Sequence, residues 1–78
     1  MNIAILCGTL QKNVEFNFIY NNKHVSIGKG KLILNSENTV NIYGYDEIAD
    51  YLYQNEGRFI WAEGEARENG VEVKKITK

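Results

Sequence analysis

Seventy-eight residues, 24% charged and 44% hydrophobic, are enough for one small domain, and a chain this short buries only about 60% of the surface its unfolded form exposes. A lone cysteine, Cys7, excludes an internal disulfide, so stability must come from packing or from a partner copy, and a cytoplasmic or other reducing compartment is expected. The net charge is −1, and no stretch approaches the roughly 20 apolar residues of a membrane span. No basic segment precedes the short apolar run at residues 3–7, as a signal peptide would require.

The charge is unevenly spread. Residues 1–36 carry Lys12, Lys23, Lys29 and Lys31 against Glu15, a balance of +3, whereas residues 37–73 set Arg58 and Arg67 against nine acids, a balance of −7. Lys74, Lys75 and Lys78 return +3 at the end. Such asymmetry is either a real basic face or a merely solubilising surface.

Residues 2–10 are apolar on both parities, with Ile3, Ile5 and Cys7 on one side and Ala4, Leu6 and Leu10 on the other. This predicts a strand buried on both faces, or one that rests its second face on another copy of the chain. From Val14 the period becomes two: Val14, Phe16, Phe18 and Tyr20 share one side, and Val14, Phe16 and Phe18 are expected in the core. The chain turns at Asn21 and Asn22 and returns through Val25 and Ile27, but Leu32 and Leu34 then fall on the other parity. An inserted residue or sharp bend is predicted at Gly28, Lys29 and Gly30, as at the corner of a small barrel.

A tight turn at residues 35–38 leads into a strand over residues 39–45 with Val40 and Ile42 inward and Asn41 and Tyr43 outward. Asp46 is a candidate N-cap for a helix of about two turns, carrying Ile48, Ala49 and Leu52 on one stripe and ending near Gly57. A strand over residues 58–65 follows, holding Phe59, Ile60, Trp61 and Ala62; Asn69 and Gly70 signal a hairpin, and Val71 and Val73 alternate with Glu72 and Lys74 in the last strand. Mostly β with one helix between late strands describes a five-stranded oligonucleotide-binding (OB) barrel spanning residues 1–78 as one domain.

Two residue classes on such a barrel suit single-stranded nucleic acid. Tyr20, Tyr43, Tyr45 and Trp61 offer faces for base stacking, and Lys23, Lys29 and Lys31 could neutralise phosphates without reading sequence. The competing reading is core or interface packing for the aromatics and a solvated, aggregation-deterring row for the lysines. No metal site is expected, because His24 has no second ligand at coordinating spacing. The acids Asp46, Glu47 and Asp50 lack a nucleophile or base, so no enzyme, cofactor or small-molecule substrate is expected either. Gly28 to Lys31 lacks the spacing of a phosphate loop.

The same residues resemble a family. Asn2, Ile5, Leu6, Gly8 and Leu10 are similar to the opening strand of bacterial single-stranded DNA-binding proteins. Tyr43 and Gly44, then Glu47, Ile48, Ala49, Tyr51 and Leu52, resemble that family's aromatic-glycine step and short helix. Ile60, Glu63 and Gly64 look like its next strand, at the family's interval of twenty residues between the two glycines. The resemblance implies a homo-oligomeric OB barrel, dimer or tetramer, that stacks bases on aromatics and binds single-stranded DNA in replication, repair or recombination, with Tyr43 at the position of a stacking phenylalanine. The family's tryptophans have no match, since Glu37 and Val71 stand near two of their positions, and the lysine-rich end has no counterpart of the acidic tail. The expectation is thus a sequence-tolerant binder of single-stranded DNA, with RNA left open; a protein-interaction or structural barrel is the alternative.

Overall fold

The computed structural model describes residues 2–77; Lys78, the last of the C-terminal lysines, lies outside them. The chain runs through β1 (Ile3–Leu10), β2 (Glu15–Phe18), β3 (Ser26–Ile33), β4 (Thr39–Tyr45), α1 (Glu47–Gln54), β5 (Phe59–Arg67) and β6 (Gly70–Thr77). Hydrogen-bonded neighbours follow the order β1-β5-β6-β4-β3-β2, and β1 also meets β3 at Thr9↔Ile33 and Leu10↔Leu32. Five strands therefore close into a barrel, as the strand count predicts, and β2 hangs as an extra edge on β3. Among the described residues only β4 and β6 run parallel, and such a pair needs a crossover, which α1 and β5 supply.

Inward positions of the strands meet in one core. Leu10, Leu32, Ile42, Ile60 and Val73 are buried, and α1 closes one end of the barrel with Ala49 and Leu52. Each fully buried aliphatic side chain is worth about 1.5–3 kcal/mol relative to exposure. The hairpin between β5 and β6 turns at Glu68 and Asn69, one residue earlier than the Asn-Gly signal suggests. Gly70 then opens β6 at φ 133, and any side chain there would run into the Asn41 carbonyl of β4.

Three expectations need correction. Register along β3 is unbroken from Ile27↔Tyr45 to Ile33↔Thr39, so there is no inserted residue at Gly28–Gly30. The inward set is instead Ser26, Gly28, Gly30 and Leu32, and the apolar Val25 and Ile27 belong to the outer side. Inward positions are small because Ala49 of α1 packs directly over Gly28. The register shift falls between β5 and β6, where Glu63 pairs with Lys75 but Gly64 pairs with Val73, skipping Lys74.

Second, Phe16 and Phe18 are not core. Val14 is the last buried residue on that parity; Phe16 is half-buried and Phe18 is 62% exposed, because β2 runs past the end of the barrel and finds only α1 beneath it. Third, the Asp46 side chain does not cap α1. It sits at φ 55 and turns its carboxylate back onto the β2–β3 hairpin, accepting from the Val25 N–H (2.7 Å) and the Ser26 N–H (3.2 Å).

Candidate nucleic-acid interface

Directly opposed residues in an antiparallel pair share a face. Pairing of Glu15 with Lys29, Asn17 with Ile27, Lys29 with Tyr43, Lys31 with Asn41 and Ile27 with Tyr45 therefore places all of these side chains on the outer face of β2–β3–β4. A groove of about 520 Å³ runs across that face, and Ile27, Lys29, Lys31, Asn41, Tyr43 and Tyr45 line it. Lys29 and Lys31 are exposed and form no ion pair among the described residues.

The aromatics here are held in fixed relation. The Tyr43 and Tyr45 rings meet edge to face at 6.1 Å, and the His24 ring lies flat on Tyr45 at 4.1 Å and 11°. Asp46 fixes His24 through a 2.8 Å contact to Nδ1. That hydrogen bond is the largest cause, ahead of the one from the Val25 N–H, holding the Asp46 carboxyl below its ordinary range. One face of Tyr45 is thus covered by imidazole. The Tyr43 hydroxyl titrates above its ordinary value, because partial burial and then the neighbouring Glu72 disfavour the phenolate, so it stays a neutral donor at physiological pH.

The other predicted residues lie elsewhere. Lys23 is exposed at the β2–β3 turn, where its N–H and that of His24 donate to the Asn21 side chain, so it reaches solvent at one end of the groove. Tyr20, 72% exposed, stacks on Phe18 at 5.5 Å and continues the strip of Phe16, Phe18 and Tyr53 on the α1 side. Trp61 lies on the outer face of β1–β5–β6 beside Ile5, Lys75 and Thr77, so it does not join Tyr43. Asn41 and Ile27 also line the groove, and His24 stacks on its Tyr45, although none of the three was expected there. Asn41 and Ile27 were within reach of parity, sharing it with Tyr43 and with Lys29, whereas the His24 stack depends on Asp46 folding back.

A closed five-stranded barrel with a helix between its parallel strands defines an OB-fold, and the groove lies on its β2–β3–β4 face. Among solved structures, the chain is similar to the SSB domain of a Synechococcus protein, with a TM-score of 0.81 at 15% identity over 100% of this chain and 96% of that one. It is also similar to a deletion mutant of the single-stranded DNA binding protein from Thermus aquaticus, with a TM-score of 0.78 at 19% identity over 100% of this chain and 40% of that one. No family model and no curated protein matches the sequence.

Proposed function

We propose that the chain is a nonenzymatic OB-fold protein that holds single-stranded DNA across the β2–β3–β4 face, in a sequence-tolerant manner. One observation carries this reading: Lys29 and Lys31, with no ion pair among the described residues, stand beside Tyr43 and Tyr45 on a single solvent-facing sheet surface. Lysines at that spacing attract phosphates, and tyrosine faces accept any base. Lys23, exposed at the β2–β3 turn, extends the path toward the hairpin tip, whereas Tyr20 stands on the α1 side, outside it. The likeness to two SSB domains supports the same reading.

Fluorescence anisotropy with labelled oligo(dT) tests it. Tyr43→Ala should weaken binding by about 1–3 kcal/mol, a magnitude taken from binders of this class. Replacing Lys29 and Lys31 together by Ala should flatten the dependence of log K on log salt by about 1.4, from roughly 0.7 per phosphate contact on a single strand. Trp61→Ala should leave affinity for a short oligo(dT), which one groove can hold, unchanged, since its face is a different one. Failure of the wild-type protein to bind at tens of micromolar in low salt would overturn the proposal.

The β1–β5 face supports a second part of the proposal, self-association. Ile3, Ile5, Phe59 and Trp61 are each more than half exposed there, and a second copy of the chain is the partner that would cover them.

A further inference from the structure

Beside Tyr43, on the side away from Lys29, the outer face of β5–β6 holds four charges that occupy one another. Arg67 Nη2 lies 3.1 Å from Glu65 and 3.3 Å from Glu72, and Lys74 Nζ lies 2.7 Å from Glu72 and 3.9 Å from Glu65. The two cations and two carboxylates cancel. Glu72 is the fixed member: it pairs with Tyr43 across the β4–β6 seam and its side chain is 14% exposed, against 46% for Arg67 and 54% for Lys74. The skipped register at Lys74 leaves both Lys74 and Lys75 exposed at this point of β6.

We propose that Glu72, assisted by Glu65, sets the affinity of the groove for a polyanionic strand: it holds Arg67 and Lys74 as masked phosphate contacts and repels phosphate passing Tyr43. This rests on the nucleic-acid reading above. A phosphate that took Arg67 or Lys74 from these carboxylates would exchange one anionic partner for another, so the cations add little while Glu72 keeps its charge. A carboxylate so close to the path also opposes every approaching phosphate. Lys29 and Lys31 form no ion pair among the described residues, although Glu15 stands opposite Lys29, and this splits the basic groups around Tyr43 into a working pair and a restrained pair.

Oligo(dT) titrations over a salt series distinguish the outcomes. Glu72→Gln should bind roughly threefold to tenfold tighter in low salt and with a steeper salt dependence. Adding Arg67→Gln to it should remove part of both gains. Asp50→Asn makes the same charge change on α1 and should alter neither. Thermal unfolding verifies that Glu72→Gln is folded, and Glu65→Gln carries the same expectation, to a smaller extent, should it not be. Wild-type binding with Glu72→Gln equal or weaker, or matched by Asp50→Asn, overturns this inference alone. Absence of binding by wild type and Glu72→Gln alike overturns the nucleic-acid reading and this inference with it.

Discussion

Gly64 and Gly30 are both inward glycines of barrel strands, and their neighbours make them unequal. A Cβ on Gly64 would collide with the carbonyl of Glu72 and crowd Val73, backbone atoms of the adjacent strand at the point where the register shifts. A Cβ on Gly30 would meet only the side-chain methyls of Leu10 and Val14, at 3.1 and 3.2 Å. Backbone cannot yield without breaking the β5–β6 seam, whereas methyl groups can rotate. Gly64→Ala is therefore expected to cost about 1–3 kcal/mol and Gly30→Ala less than about 1 kcal/mol. For a domain of this size each kcal/mol lowers the melting temperature by about 4–8 °C, so thermal scans separate the two variants. Equal melting temperatures would show that the seam at Gly64 can relax.

At the scale of the element, the β2–β3 hairpin is anchored to the barrel through Asp46. Its carboxyl is held below the ordinary value of 3.8, chiefly by His24 and then by the Val25 N–H. A folded-state value lower than the unfolded one means that the tether stabilises fully above pH 3.8 and is lost as pH falls through the depressed value. The Val25 and Ser26 amide resonances should thus titrate together with a midpoint below 3.8, and Asp46→Asn should abolish that titration. A midpoint at or above 3.8 would sink the assignment. This anchor also shows where sequence reading stopped short. An acid before a helix signals a cap, and only the tertiary approach of His24 redirects it. Strands with large inward residues, such as β4 with Val40 and Ile42, were legible from alternation alone. In β3 the inward set is small or polar because α1 lies close to Gly28, so the apolar Val25 and Ile27 mimicked a core face. Phe16 and Phe18 kept the parity of Val14 beyond the end of the core, and parity cannot say where a barrel ends. The same limit applies to the site: alternation places Tyr43, Lys29 and Lys31 outward together, but it also places Trp61 outward without saying on which side of the barrel.

For the whole molecule, the radius of gyration of 11.5 Å agrees with the value of about 11.5 Å expected for 78 compact residues, yet the surface is large. The accessible area is 5292 Å², about a tenth more than the roughly 4,800 Å² expected of a monomer of 8.9 kDa. Ile3, Ile5, Phe59 and Trp61 are among the large apolar side chains exposed on that surface, and these four share one face. β1 beside them pairs with β3 only at Thr9 and Leu10, leaving one backbone edge of its earlier residues open to another strand. A second copy would cover both the face and the edge, and it would leave the Tyr43 groove free because that groove lies on the β2–β3–β4 face. Ile5, 64% exposed, is the residue to change, since a charge there leaves the core intact. Light scattering is expected to show the wild type associated at high micromolar concentration and Ile5→Lys monomeric, with the two melting temperatures converging on dilution, where the wild type also dissociates. If two grooves share one assembly, a long oligonucleotide engages both, and the second contact gains from high effective concentration. Ile5→Lys should then weaken binding of a long oligo(dT) much more than that of a short one. A strictly monomeric wild type, or equal losses on both lengths, would refute the coupling between assembly and binding.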